Sequence, residues 1–235
     1  ENRFQFVSLG SVKSNLLPVS CGVPQGSVLG PILFLLYIND FQICCNSLDL
    51  HLFADDSNLF LANKSLRQLE HSINEQLKSI HEWLCANKLS LNVDKSNFVI
   101  FHPYQRKLNY SVVLTLHNKP LQRKYNINYL GIVFDSHLNW KSHVLHISNK
   151  LKRNIGIMSK LRHFVSIEIC VSLYYSLIYP FLTYGVNAWG NTYTSSLEPL
   201  FILQKKAIRL ITFSDYNAHT NPLFQKLKVL KFFDV

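Results

Sequence analysis

Two aspartates, Asp55 and Asp56, stand side by side in the stretch LHLFADDSNLFLA, residues 50–62. The residues around them are apolar. Leu50, Leu52 and Ala54 before the pair, and Leu59 and Leu61 after it, alternate as one face of a strand does. Adjacent negative charges in such a setting cost free energy unless something positive offsets them. Three uses of the pair compete. A hairpin turn is a common place for Asp, which explains one of the two better than both. A hydrolytic acid–base couple needs both carboxyls on one substrate bond, yet neighbours on a strand point to opposite sides. The third use is a divalent-cation site, because Mg²⁺ takes hard oxygen ligands from one or two carboxylates together with substrate phosphates. Two such ions about 4 Å apart activate an attacking oxygen and stabilise a leaving one. On that reading the missing positive charge is the metal, which also keeps the carboxylates ionised.

Periodicity gives the elements that must carry the pair. Residues 48–62 read as two short strands joined at Ala54–Ser57, with the aspartates at the hairpin tip. Upstream, residues 4–9 and 16–21 form a hairpin around GSVKSN. GVPQGSVLGP is a Gly/Pro-rich loop, and PILFLLYINDF continues as a buried helix with Pro31 near its first turn. Downstream, Leu66, Leu69, Ile73, Leu77, Ile80 and Leu84 predict an amphipathic helix over 65–86, capped by Asn63 or Ser65 and ended by Asn87. LSLNVDKSNFVIF reads as a turn into a strand, and 111–117 and 120–134 as further strands turning at HNKP. From Trp140 the pattern is helical. Trp140, Val144, Ile147, Leu151, Ile155, Met158 and Leu161 make one stripe, with Lys150, Lys152, Arg153, Lys160 and Arg162 opposite. Two more helices fill 166–189 and 196–212. The change near 137–140 sets the expected domain boundary.

Composition narrows the class. A hydrophobic fraction of 48% suits a folded globule. The net charge of +10 is uneven: 7 Lys and Arg face 9 Asp and Glu in residues 1–95, against 17 and 5 in 96–235. A basic back half suits a polyanionic partner, with a solvated basic surface as the plainer alternative. Five cysteines (21, 44, 45, 85 and 170), without any CxxC, read as reduced core residues of an intracellular protein and not as a zinc site. The uncharged stretch 169–190 holds Pro180, Asn187 and four Tyr, so two packed helices broken near Pro180 are expected there in place of a membrane span. A start at Glu1 and a single Met, Met158, suggest a piece of a longer protein.

Four stretches, in chain order 22–41, 53–56, 87–101 and 129–144, resemble the reverse transcriptases of non-long-terminal-repeat retrotransposons, especially the jockey-like group. FADD (53–56) is similar to that family's palm signature, and GVPQGSVLGPILFLLYINDF (22–41) to its dNTP-contacting motif. NKLSLNVDKSNFVIF (87–101) and YLGIVFDSHLNWKSHV (129–144) are similar to the two motifs that follow, and a weaker likeness continues through LQKKAIRLIT (203–212). The resemblance implies an α+β fold. A polymerase palm, an antiparallel sheet packed on helices and including a primer-grip hairpin, would fill 1–137. A mostly helical, thumb-like region would fill 138–235.

It also implies an RNA-directed DNA polymerase, nuclear or cytoplasmic, that adds dNTPs to a primer 3′-OH with two Mg²⁺ (or Mn²⁺) ions. Its partners would be an RNA template, a DNA primer and dNTPs, with no membrane. Asp55 resembles the metal-binding carboxylate, with Asp56 a lesser contributor. Phe53 and Ala54 would flank the primer end. Pro24, Gln25, Gly26 and Ser27 resemble the residues along the incoming nucleotide, where small residues let backbone approach a base pair. Lys95 resembles a proton donor to pyrophosphate; a surface lysine in a polar turn is the plainer alternative. Tyr129, Leu130 and Gly131 resemble the primer grip, or else an ordinary strand. Lys150 and Arg153 would follow the phosphates of the RNA–DNA heteroduplex. The family's other catalytic Asp, on a strand upstream of the nucleotide motif, has no counterpart in residues 1–21, where Glu1 is the sole acid. The chain alone is therefore expected to polymerise poorly, and a non-catalytic nucleic-acid-binding remnant is the rival.

Overall fold

A computed structural model describes residues 3–19, 22–24 and 26–234. It divides the chain into two units, residues 1–93 with 110–121 and residues 94–109 with 122–235. This division differs from the expected one at 137/138. The 126–135 hairpin goes with the helical unit, because its strands pack on the helix that follows them.

In the first unit, β1 (Phe4–Gln5) pairs with β4 (Leu17–Pro18), and β2 (Ser8–Leu9) with β3 (Val12–Lys13), two nested antiparallel ladders. Helix α1 (Leu29–Ile38) runs into a 3₁₀ turn, Asn39–Cys44. The hairpin β5 (Asp49–Phe53) and β6 (Asp56–Phe60) follows. Helix α2 (Leu66–Ala86) buries Leu77, Ile80 and Leu84, as its period requires. Asn63 Oδ1 accepts the Ser65 N–H ahead of α2, and Asn87 at its end donates to the Trp83 carbonyl. Two expectations are corrected here. Helix α1 is not buried: none of its residues is, and Leu35 and Leu36 are 65% and 71% exposed. It is apolar all round, so no single face selects a neighbour. Within the expected stretch only Phe41, in the 3₁₀ turn, is buried, its ring 4.8 Å from that of Trp83. Cys85 is exposed, while Cys45 is buried and its thiol is pushed up to about 12 by that burial. Cys21 lies outside the described residues.

The strands do not join into one antiparallel sheet. Among the described residues there are six two-stranded ladders. The parallel one joins β7 (Asn97–Phe98) to β10 (Gln122–Arg123). β8 (Thr115–Leu116) and β9 (Lys119–Pro120) turn at His117–Asn118, both left-handed, the two-residue geometry that follows strand twist. The fold is α+β, built from short ladders and helices.

The second unit holds the larger core. The hairpin β11 (Asn126–Tyr129) and β12 (Ile132–Asp135) leads into α3 (Lys141–Leu161). Helix α3 buries Val144, Ile147, Leu151, Ile155 and Met158 of the expected stripe; Leu161, at the stripe's end, is exposed. Then come α4 (Ile167–Leu177), α5 (Tyr179–Thr183), α6 (Val186–Trp189), α7 (Thr194–Ile211) and α8 (Asn221–Leu227). The break at Pro180 is where the ring requires it, in the first turn of α5. No helix among the described residues is long and apolar enough to cross a membrane.

Among the described residues one histidine is buried. His143 is 2% exposed, and its Nδ1 accepts the Val133 N–H at 3.2 Å, which fixes the neutral ring. Burial first, then His146 and Lys150, lower its pKa to about 4. The unfolded chain takes up this proton near pH 6.5, so it binds more protons than the folded chain between about 6.5 and 4. Stability is complete above that window and falls as pH drops through it. Melting temperatures measured from pH 7.5 to 4.5 should decline below 6.5, less steeply for His143→Gln. The slope should be reduced and not abolished, because His146 is lowered too. An unchanged slope in the variant would refute the assignment.

Candidate active site

β5 and β6 pair in register from Asp49↔Phe60, through Leu50↔Leu59, to Leu52↔Ser57 and Phe53↔Asp56. The loop is therefore only Ala54 and Asp55, shorter than the expected Ala54–Ser57 join. Ala54 turns the chain at φ +51°, a left-handed conformation that a residue with a Cβ rarely adopts. Strain of this kind persists only where surroundings over-determine it, and it clusters at functional sites. Asp55 sits at the tip and Asp56 opens the return strand. Both are exposed, as is Phe53 at 59%. This corrects the apolar setting read from sequence: the flanking leucines do not cover the carboxylates, and within this chain no desolvation cost arises. Two solvated carboxylates at one tip fit the hard-oxygen donor set of Mg²⁺ or Mn²⁺. Among the described residues no group of three His, Cys, Asp or Glu gathers to hold an ion.

Two hydrogen bonds brace described residues ahead of α1. The Ser27 N–H donates to the Pro24 carbonyl, and Ser27 Oγ accepts the Gly30 N–H at 3.0 Å, satisfying a donor of the first helical turn. Gly26, at φ +85°, has nothing within 4 Å of where a Cβ would stand, so its backbone is open to approach. Gln25 lies outside the described residues.

Lys95, Tyr129–Gly131, Lys150 and Arg153 belong to the second unit. Lys95 is exposed in the turn before β7, and its carbonyl accepts from Asn97. Tyr129, Leu130 and Gly131 end β11 and turn into β12, with Leu130 at φ +48° and Gly131 at +82°. The Tyr184 hydroxyl donates to the Leu130 carbonyl at 2.6 Å and ties this tip to the end of α5. On α3, Arg153 is exposed, while the Lys150 ammonium lies 5.3 Å from the Phe181 ring centre.

Residues 4–134 match the family described as reverse transcriptase (RNA-dependent DNA polymerase). The chain belongs to the reverse transcriptase family. It is 28% identical, over its whole length, to the RNA-directed DNA polymerase from mobile element jockey of Drosophila melanogaster, covering 26% of that protein. It is 28% identical over 92% of its length to the probable RNA-directed DNA polymerase from transposon X-element of the same fly, covering 24% of it. A Pol polyprotein from type-1 retrotransposable element R1 of Bradysia coprophila is 23% identical over 90% of the chain. The chain thus spans about a quarter of the first two relatives. No solved structure matches it.

Three residues that position parts of this reverse-transcriptase chain are not among those singled out from the sequence. They are Asp135, which caps the β12–α3 corner, Tyr184, and the buried Gln204. Of these, Asp135 stands in the run DSHLN, where Asp beside Ser and Asn is the signal of a turn that could have marked it. Two stability outcomes follow. Asp55→Asn and Asp56→Asn should each stay within about 0.5 kcal/mol of wild type, since both carboxylates are solvated. Gly131→Ala should cost about 1–2 kcal/mol, since alanine pays the left-handed penalty there and its Cβ would lie 3.5 Å from Tyr184. Chemical denaturation checks both; a loss above 2 kcal/mol at Asp55 would contradict its placement.

Proposed function

We propose that the chain carries the catalytic hairpin and the nucleic-acid grip of an RNA-directed DNA polymerase that joins dNTPs to a primer 3′-OH on an RNA template. What supports this most is the FADD hairpin: a strained two-residue turn presents both carboxylates to solvent, in a chain of this family. Residues 1–137 would serve as palm, including the 126–135 hairpin that packs within the helical unit, and 138–235 as thumb. Asp55 and Asp56 would hold Mg²⁺ or Mn²⁺, which when bound lowers the pKa of an attacking hydroxyl and neutralises charge on a triphosphate. Phe53 and Ala54 flank the primer end. Pro24, Gln25, Gly26 and Ser27 lie along the incoming nucleotide, with Gly26 letting the backbone come close. Lys95 gives a proton to departing pyrophosphate. The Tyr129–Gly131 tip holds the primer terminus in line, and Lys150 and Arg153 meet phosphates of the A-form heteroduplex, reading shape in place of sequence.

Two carboxylates do not complete a two-ion cage, so the chain by itself extends primers weakly. The same observation favours a second reading, a non-catalytic module that keeps the grip. Primer extension on an RNA template with Mg²⁺, compared with Asp55→Ala, separates them. Weak extension that disappears in the variant supports the polymerase. Extension that survives in the variant sinks the metal assignment, and none in either supports the binding module. In both readings heteroduplex affinity should fall steeply with salt, as phosphate contacts displace counterions. A flat salt series would refute the grip.

A further inference from the structure

The second unit holds a cleft of about 520 Å³ that no part of the polymerase reading uses. Helix α7 supplies one wall: Phe201, Lys205 and Arg209 recur every four residues and share a face. His219, from the loop before α8, and Lys231 and Phe233, from the C-terminal segment, close it. The far wall is fixed by Gln204. Its amide is fully buried and donates to the Leu230 carbonyl at 2.9 Å and the Tyr174 hydroxyl at 2.8 Å, while its oxygen accepts the Phe232 N–H at 2.8 Å. Lys231 and Phe233 flank that last contact, so the clamp holds them at the cleft.

The lining chemistry is that of a nucleotide site. Three cations line it, and none of the three is within ion-pair distance of a carboxylate among the described residues. The Lys205 ammonium is held 4.0 Å from the Phe201 ring centre. Arg209 spends Nε on the Ala218 carbonyl at 2.9 Å, which orients the guanidinium and leaves its other donors for an anion. The Phe233 ring meets Phe201 edge-on at 5.1 Å and Phe232 at 5.3 Å, and Phe233 is still 46% exposed, which leaves ring surface for stacking. The volume suits one nucleotide and is far too small for a duplex. A single strand can splay a base into such a cleft, and fixed phosphate contacts with aromatic stacking are how single strands are held.

We propose that this cleft binds one unpaired nucleotide of a single-stranded nucleic acid, its phosphate on Lys205, Arg209 and Lys231 and its base on Phe233. The inference extends the nucleic-acid reading above, and rests on it for the class of partner. It is tested with the full chain by fluorescence anisotropy of a labelled ten-nucleotide oligouridylate, the matching oligodeoxythymidylate, and an RNA–DNA heteroduplex. Phe233→Ala should weaken single-strand binding about tenfold, the worth of one stacked base. Lys231→Ala should flatten the salt slope by about 0.7, one phosphate contact. Both should leave heteroduplex affinity unchanged. Loss with RNA alone assigns a template strand, loss with DNA alone a DNA strand, and loss with both a shared nucleotide chemistry; all three support the site. Unchanged single-strand binding in both variants overturns it, and so does an equal loss with heteroduplex. Polyglutamate competing as well as oligouridylate at equal charge overturns it too, in favour of an acidic-peptide site. Should Phe233→Ala fail to fold, the Lys231→Ala salt slope decides alone. Arg153→Ala, on α3, reads the polymerase grip separately. If it leaves heteroduplex binding intact while the cleft variants lose single strands, the grip assignment fails and the cleft stands.

Discussion

The Asp135 carboxylate is the corner on which the second unit turns. One oxygen accepts the N–H groups of His137 and Asn139 at 3.0 and 3.2 Å, and the other that of Trp140 at 2.9 Å. Two residues in this corner, Leu138 at φ +52° and Trp140 at +64°, are left-handed without being glycine. Each costs about 1–2 kcal/mol, and three charge-assisted bonds to a buried carboxylate offset that strain. The corner aims α3, whose buried stripe then meets α7. Without it the angle between the β11–β12 hairpin and the basic helix would rest on the Val133–His143 bond and side-chain packing alone. The positions that family likeness assigns to primer and duplex would then lose their geometry together.

Gln204 does for the C-terminal segment what Asp135 does for the hairpin. A polar group buried without partners is costly, and this amide finds three: a side chain on α4 and two backbone groups near the chain's end. Its specificity comes from that requirement, because an apolar residue of similar size would leave the Leu230 carbonyl and Phe232 N–H unpaired. Both hubs are buried polar side chains that collect backbone groups from distant or strained segments. Both lie in the unit with the larger hydrophobic core, where desolvation makes such bonds decisive.

Much of this was legible in the residues. The apolar spacing of α2 and α3, the break at Pro180 and the alternation around FADD each encode a local geometry, and each is found. What escaped reading depends on partners far apart in sequence. The exposure of α1 is one case, since a run apolar on every side says that a helix forms but not what covers it. The contacts of Gln204 are another, reached 26 to 30 residues away. The site divides the same way. Asp55 and Asp56 stand out by type and adjacency, whereas Lys205 and Arg209, one turn apart on one face of α7, are not among the residues the sequence reading singles out. Lys231 and Phe233 join that face only through the fold. Trp140 was read as the first residue of the apolar stripe, yet its left-handed backbone is set by a carboxylate five residues before it.

The order in which the chain visits its two units limits how it can be dissected. It leaves the first unit after residue 93, returns to it for 110–121, and leaves again. No single cut yields both units whole. Truncation at 93 removes β8 and β9, and with them the Glu70 and Asn74 bonds that dock them on α2. Truncation from 122 leaves β10 without β7, its parallel partner. Separate expression of either unit would need a circularly permuted or internally linked gene.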